Sequence, residues 1–529
     1  MATEAPRKGF LAWVERTGNR LPDPVFMFLY LIGGLVVVSL ICAAAALSAT
    51  HPTALGADGL PRIIEAQSLL SGDNLRRLFV DMPQTFTHFH PLGYVLVVML
   101  GAGVAERSGL FATAMRAAVT RAPKALLTPT VALVAMVSNH AADAAYVVLI
   151  PLAGVLFAAA GRHPLVGIAA AFAGVSGGFS ANIAPGQLDA LLFGITQEAA
   201  ATVVPGYHAN IAGNWYFILA LTLAFLPVIW FVTDRMIEPR LGHWVPEDGS
   251  DASAPEAPLT AAEKKGLIWA GLASLGVVAA WVLLTIGPGT PLIDEAACSD
   301  AAMAAGTCAG EARLTPLFRS LVAGFLVLFL LAGWAYGHAC GSIKNHRDLV
   351  KMMTEAMKDL GYYLVLAFVA AHFVAMFNWS NLGLISAVHG AEAIRSSGLP
   401  LPIVLGLIVL FTAAINLFVG SASAKWALLA PVLVPMLMLL GVSPEGATAA
   451  YRVGDSATNI ITPLMVYFPL ILIFCQRWKK DFGIGSLTAM MLPYSLWLLV
   501  AGLALVIGWV LIGAELGPGS PVDYVLPTR

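Results

Sequence analysis

The sequence predicts an all-α integral membrane fold with nine transmembrane helices, two re-entrant helical hairpins and an inverted structural repeat. Three observations lead there. Over 529 residues, 58% are hydrophobic and only 11% charged, against roughly 45–50% and 25% in an average soluble domain. Apolar runs long enough to cross roughly 30 Å of hydrocarbon recur along the chain. Two further apolar segments are cut in the middle by small polar residues, at matching places in the two halves. A formal net charge of −2 gives no basis for nucleic-acid binding. The absence of metalloprotease, P-loop and nucleophile-elbow motifs argues against an enzyme or an ATP-driven pump.

Taken in order, spanning runs lie near 25–48, 88–107, 164–197, 212–233, 266–287, 316–338, 360–379, 446–475 and 486–513. The first follows a polar lead carrying Arg7, Lys8, Arg16 and Arg20. It exceeds the 7–15 residues of a signal-peptide core, so a retained anchor helix is expected. Segments 125–161 and 401–441 are too long for one helix. They are interrupted at Ser138-Asn139-His140-Ala141-Ala142-Asp143 and at Asn416-Leu417-Phe418-Val419-Gly420-Ser421-Ala422-Ser423. Each half is roughly 15 residues, short of the roughly 20 a span needs, which predicts hairpins whose tips face protein or water.

Charge placement tests this layout. It assigns 20 of the 29 Lys and Arg residues to cytoplasmic segments and leaves only Lys425 and Arg452 at membrane depth, as the positive-inside rule requires. The N-terminus is then cytoplasmic, the C-terminus outside, and the protein sits in the cell inner (plasma) membrane. The expected organisation is an N-terminal lead, first helix and outer loop over 1–87, a first repeat over 88–234, a cytoplasmic linker over 235–263, two helices and an interfacial helix over 264–358, and a second repeat over 359–529. Residues 343–358 read as an amphipathic connector. Cys298 and Cys308 lie in a polar loop where a disulfide could form if that loop faces an oxidising compartment.

The repeat carries the chemistry. Asp143-Ala-Ala-Tyr-Val-Val-Leu-Ile-Pro151 and Ser423-Ala-Lys-Trp-Ala-Leu-Leu-Ala-Pro431 agree in length, in the aromatic at the fourth place and in the final proline. About thirty residues on, each is followed by a second break, Gly177 to Pro185 and Gly454 to Pro463. Paired interrupted segments in two halves point to a transporter's midplane site. Unwound carbonyls coordinate cations there, and free helix N-termini attract anions. Asn416 and Asp455 are the first choice for a coupling ion such as sodium, with Asn139, Asn182, Asn459 and Asp143 as further ion-coupling candidates. For any single small polar residue, close helix packing is the simpler account; the twofold clustering favours function for the group.

Asp189, four residues after Pro185, occupies the first half's counterpart to Asp455. Helix capping would also explain it. Lys425 and Arg452 are both candidates to hold a carboxylate-bearing substrate; Arg452 can grip a carboxylate with two parallel hydrogen bonds, whereas the alternative for Lys425 is to snorkel toward the outer surface with no specific role. Trp426 can stack on an aromatic ligand or simply pack. His140 with Asp143 gives only a weak proton-relay signal.

On Asp143 to Pro151, Gly177 to Ala200 with its Ile-Thr-Gln-Glu-Ala-Ala, and Ala424 to Pro463 with its Tyr-Arg-Val-Gly-Asp-Ser, the chain resembles the p-aminobenzoyl-glutamate transporter (AbgT) family, over nearly its whole length. The resemblance implies a homodimer of nine-helix, two-hairpin protomers that carries p-aminobenzoyl-glutamate-like folate catabolites or exports sulfonamide antimetabolites. It also implies functional roles at Asp189, Asn416, Trp426, Pro444, Arg452, Asp455 and Pro463. Ala190 stands where the family pattern often has proline. The expected function is therefore secondary active transport coupled to sodium or protons, with no cofactor beyond a sodium ion. A di- or tricarboxylate symporter is the alternative within transport; a channel and a membrane-embedded enzyme are the alternatives outside it.

Overall fold

The computed structural model describes residues 23–55, 60–120, 122–141, 145–242, 244, 259–286, 290–297 and 313–526. Asp143, Cys298 and Cys308, on which some of the expectations rest, lie outside the described residues.

Helix α1 (Pro24–Ala44) starts where the Asp23 carboxylate accepts the Val25 N–H at 2.8 Å, with Pro24 at its first position. There proline loses no helical hydrogen bond. The loop after α1 then departs from the all-α expectation. Strands β1 (Ser48–Leu55) and β2 (Pro61–Glu65) pair antiparallel, with Ser48 opposite Glu65 and Thr50 opposite Ile63. In β2, Ile63 is exposed and Ile64 buried, the period-two alternation of a half-buried strand. Five residues are too few to show as a hydropathy run. Two short helices, α2 (Gly72–Val80) and α3 (Met82–Thr87), complete the loop.

Next come α4 (His90–Arg107) and α5 (Leu110–Thr120), bent by 60° at Gly109, whose φ of +91° only glycine adopts readily. The first interrupted segment forms α6 (Leu127–Val137) and α7 (Ala145–Ala159), either side of the Ser138–Ala141 turn. The first broken helix forms α8 (Pro164–Gly177) and α9 (Gln187–Ala200). Helices α10 (Trp215–Leu241), α11 (Ala261–Leu283) and α12 (Thr315–Cys340) follow, then the amphipathic α13 (His346–Asp359). The last third contains α14 (Gly361–Trp379), α15 (Leu382–Ser397), α16 (Leu401–Asn416), α17 (Ala422–Leu439), α18 (Pro444–Thr458), α19 (Phe468–Trp478) and α20 (Ile484–Ile512).

Among the described residues seven helices are long and apolar enough to cross a membrane, or eight if α4 and α5 form one bent span. The protein is thus a mostly helical, multi-pass membrane protein. Limb α17 has 18 residues and is counted among those seven, so it is longer than a half-helix of about 15.

Burial sorts the helices into a centre and a rim. In the most apolar stretches of α1, α11 and α20 only 17%, 17% and 22% of residues are covered by the protein's own atoms, leaving apolar faces for lipid. Helices α11, α12 and α4 pack around Ala102, Ala105, Ala270, Ala332 and Tyr336 as a side cluster. By contrast, every residue of α18 is buried, Glu445, Arg452 and Asp455 included. Ionisable groups enclosed in this way require partners, and those partners define the site.

Candidate functional site

Close backbone approach sets the site's geometry. At Gly454 an added Cβ would collide with the Val409 carbonyl oxygen and lie 2.8 Å from Thr412 Cβ, so α18 lies directly on α16. The first half repeats this device. At Gly174, near the end of α8, a Cβ would meet the Ala135 methyl at 2.5 Å and the Ala132 carbonyl oxygen at 2.9 Å on α6. In each half the helix that breaks is thus pressed against the helix leading into a polar tip.

The second tip is closed. Asn416 ends α16 with its amide nitrogen donating to the Asp455 carbonyl at 2.7 Å, Thr458 Oγ1 at 2.9 Å and Asn459 Oδ1 at 2.9 Å. Its amide oxygen accepts from Lys425 Nζ. The same ammonium lies 2.5 Å from Asp455 Oδ1 and 3.4 Å from the Val419 carbonyl oxygen. Lys425 is therefore wholly buried and does not snorkel: a carboxylate beside it in the interior outweighs a long reach to water. Trp426 is equally enclosed. Its Nε1–H donates to Thr196 Oγ1 at 2.9 Å, and its ring packs on Tyr451 with centroids 4.3 Å apart. Thr196 also bonds Thr448 at 2.9 Å. Pro444 opens α18 in its first turn. Pro463 lies in the break between α18 and α19, next to Thr462, whose hydroxyl donates to the Leu417 carbonyl at 3.2 Å.

The first tip is open. A cavity of about 200 Å³ is bordered by Asn139, His140, Tyr146, Phe179, Asn182, Asp189 and Arg452, among others. Asn139 Nδ2 donates to the Met136 carbonyl at 3.1 Å and the Gly178 carbonyl at 3.4 Å. His140 Nε2 is 3.2 Å from the Pro185 carbonyl oxygen. Asn182 accepts the Ile183 N–H at 2.9 Å. Tyr146 stacks on Tyr467 with centroids 4.3 Å apart.

Asp189 sits at the cavity wall and has two partners. One oxygen accepts the Gly186 N–H at 2.7 Å, capping α9; the other meets Arg452 NH1 at 2.6 Å. Capping and ion pairing thus coexist in one carboxylate. Arg452 comes from the second half, so this pair joins the halves, as do Ser180 N–H to Ser456 Oγ at 3.0 Å and Asn459 Nδ2 to the Ser176 carbonyl at 3.4 Å. Arg452 Nε has no partner among the described residues. A buried, unmatched donor beside a cavity can receive a ligand oxygen.

Sequence reading left the places of three groups open. Lys425 stood out as one of two basic residues at membrane depth, but its burial shows only once α16 and α18 close on it. Tyr146 was visible as the repeat's aromatic without its role at the cavity wall. Glu445, buried in the first turn of α18, is met by Tyr207 Oη at 3.0 and 2.9 Å and the Asn210 N–H at 3.4 Å. Burial and the adjacent carboxylate hold the Tyr207 hydroxyl far above its usual pKa, so it stays a donor. Away from the site, Arg162 in the turn between α7 and α8 clamps that turn to α10 through Asp234 and Glu238, each at 2.6 Å. Burial opposes its charge, but the bonds to Glu238 and Asp234 outweigh it and hold the guanidinium protonated.

Comparison with known proteins gives a consistent outcome. A family model described as "AbgT putative transporter family" matches residues 9–524. The chain is 37% identical over 508 residues to the p-aminobenzoyl-glutamate transport protein of Escherichia coli (strain K12), covering 96% of each chain. It is similar to the solved YdaH transporter of Alcanivorax borkumensis, described as having an unusual topology, at 41% identity and a TM-score of 0.84, over 94% of this chain and all of that one. It is also similar to MtrF of Neisseria gonorrhoeae, described as illuminating a class of antimetabolite efflux pumps, at 42% identity and a TM-score of 0.87, over 98% of this chain and all of that one.

Proposed function

This chain belongs to the AbgT transporter family, and from that premise we propose that it is a secondary active carrier of p-aminobenzoyl-glutamate-like folate catabolites or sulfonamide antimetabolites, driven by a sodium or proton gradient. The observation that carries the reading is the buried Asp189–Arg452 pair at the wall of the cavity, with the pair at 2.6 Å and Arg452 Nε unpartnered. A substrate carboxylate binds Arg452 through that free nitrogen, in competition with Asp189. Negative charge on the substrate replaces negative charge of the protein, so the guanidinium is never left buried alone.

The cavity holds about 200 Å³, below the roughly 300–1,000 Å³ of small-molecule sites. Substrate entry therefore widens it, and alternating access is the movement that does so. Substrate contacts are assigned to Arg452, Asp189, Trp426, Pro444 and Pro463. Trp426 reaches substrate only when α17 withdraws from Thr196 and Tyr451. Ion coupling is assigned to Asp455 and Asn416, with Asn139, Asn182, Asn459 and Asp143 contributing. The interrupted segments α6–α7 and α16–α17 act as opposed re-entrant hairpins within nine transmembrane helices. The protein works as a homodimer in the inner membrane, its N-terminus cytoplasmic and its C-terminus outside.

The test is flux in proteoliposomes with labelled p-aminobenzoyl-glutamate and a sulfonamide, imposing sodium and proton gradients separately and in both directions. The reading predicts saturable, gradient-driven flux that Asp455→Ala abolishes. Non-saturable conductance would identify a channel instead, and gradient-coupled flux retained in Asp455→Ala would remove that residue from coupling.

A further inference from the structure

We infer that the aromatic end of the substrate is held at the first tip, against Tyr146 and Phe179, and that these two rings set the preference for an aryl group. This rests on the carrier function proposed above and adds to it the residues that recognise the ring.

The repeat places one aromatic at the fourth position of each tip segment, Tyr146 in the first half and Trp426 in the second. Their surroundings are opposite. Trp426 is fully buried, its Nε1–H is engaged by Thr196 Oγ1 at 2.9 Å, and its ring packs on Tyr451 with centroids 4.3 Å apart. A space along α17, beside Ser423 and Ala427, holds about 20 Å³, room for about one water and no ring. Tyr146 instead borders the cavity of about 200 Å³ that Phe179, Asp189 and Arg452 also line. A cavity of about 150 Å³ admits benzene. The first tip therefore takes one aryl ring as it stands, and only the remainder of a p-aminobenzoyl-glutamate-like ligand needs the cavity to widen.

The positions of both rings are fixed by contacts to their neighbours. Tyr146 stacks on Tyr467 with planes 12° apart and centroids 4.3 Å apart. Tyr467 does not itself border the cavity, so it backs Tyr146 and sets the plane of its ring. Phe179 is half-buried, in the break that follows α8. The residues on either side of it are tied down: the Gly178 carbonyl accepts from Asn139 Nδ2 at 3.4 Å, and the Ser180 N–H donates to Ser456 Oγ at 3.0 Å. Aromatic rings attract one another through their quadrupoles beyond the area they bury, which a saturated ring of similar size does not gain. Arg452 lies on the same cavity, so a ligand with both a ring and a carboxylate meets both partners at once. Sulfonamides have no glutamate carboxylate. An aryl ring is what the two proposed ligand classes share, and a ring site at Tyr146 and Phe179 explains how one cavity serves both.

The experiment measures equilibrium affinities on the purified full-length protein for N-benzoyl-glutamate and N-cyclohexanecarbonyl-glutamate, which differ only in the ring, with p-aminobenzoyl-glutamate as the reference ligand. On the wild type the benzoyl compound should bind about two- to tenfold more tightly, the range of an aromatic pair's extra attraction. Phe179→Leu and Tyr146→Leu should each narrow that ratio, and the double variant should bring it to about one. Tyr146→Phe, which keeps a ring, should preserve it. General loosening of the site weakens both compounds alike and leaves the ratio in place, so the ratio separates ring recognition from structural damage. If the Tyr146 variants do not fold, Phe179→Leu, at a half-buried position, carries the test. No aryl preference on the wild type, or an undiminished preference in folded Phe179→Leu, overturns the inference and leaves the carrier reading standing. A wild type that binds none of the three ligands sinks both.

Discussion

The two polar tips differ in charge at one place of the repeated segment, among other changes. The third place of the repeated segment is Ala145 in the first half and Lys425 in the second. Without a cation of its own, the first tip leaves a cavity, and Asp189 receives its positive partner from the other half, Arg452. With a cation of its own, the second tip closes, and Lys425, Asn416 and Asp455 are 0%, 0% and 2% exposed. The lesson concerns where a ligand can compete. A pair neutralised inside one half shuts its space, whereas a pair made between halves borders a space that opens when the halves part.

The largest effect should come from removing each carboxylate in turn. Breaking a buried ion pair by one partner typically costs about 3–5 kcal/mol. Asp455→Asn should approach that in detergent melts, because Lys425 has no water to turn to. Asp189→Asn should cost less, since water in the cavity can reach Arg452. Equal losses would break the contrast between a closed and an open tip. Next in size is the close helix approach in each half. Gly454→Ala drives a methyl into the Val409 carbonyl and Gly174→Ala into the Ala135 methyl. Overpacking of this kind costs about 1–3 kcal/mol, and the backbone clash at Gly454 should be the worse of the two by thermal denaturation.

A smaller effect is expected at the aromatic of the repeat. Trp426→Phe removes the 2.9 Å bond to Thr196, worth about 1 kcal/mol, and Thr196 keeps its bond to Thr448. The melting temperature should drop slightly and p-aminobenzoyl-glutamate affinity more, if Trp426 meets substrate; unchanged affinity would leave it a packing residue.

The smallest effect lies outside the membrane-spanning helices, at the turn between α7 and α8. His163 caps α8, its Nδ1 accepting the Leu165 N–H at 3.2 Å, which requires a neutral ring. Burial, with Lys479 nearby, lowers its pKa below the ordinary value of 6.5. A group depressed in the folded state takes its proton more readily when unfolded. This stabilisation is therefore present above about pH 6.5 and lost as pH falls below it. His163→Asn keeps a cap and should remove that part of the acid sensitivity in melts between about pH 7 and pH 5.

Much of this was legible in the sequence because it depends on long patterns. Spans, interruptions and the two-part repeat follow from hydropathy and small-residue clusters, and α6, α7, α16 and α17 begin and end close to the expected breaks. Arg452 and Asp189 were marked by their cost at membrane depth. Their pairing was not, because 263 residues separate them and only the packing of α18 against α9 brings them together. The place of Lys425 was left open for a related reason. A lysine near a helix start reads as a snorkelling side chain unless the carboxylate at Asp455 is known to face it. The β1–β2 hairpin was missed since its strands are short and polar, and register depends on pairing rather than on either strand alone.

The most direct test of the central claim, that Arg452 at the inter-half wall holds the substrate's carboxylate, is a binding cycle. Equilibrium affinity of p-aminobenzoyl-glutamate and of its carboxamide analogue would be measured on the wild type and on the charge-neutral double variant Asp189→Asn/Arg452→Gln. The account predicts that amidation weakens binding to the wild type by at least about tenfold, or about 1.4 kcal/mol, and has little effect on the double variant. The same loss on both proteins would contradict it.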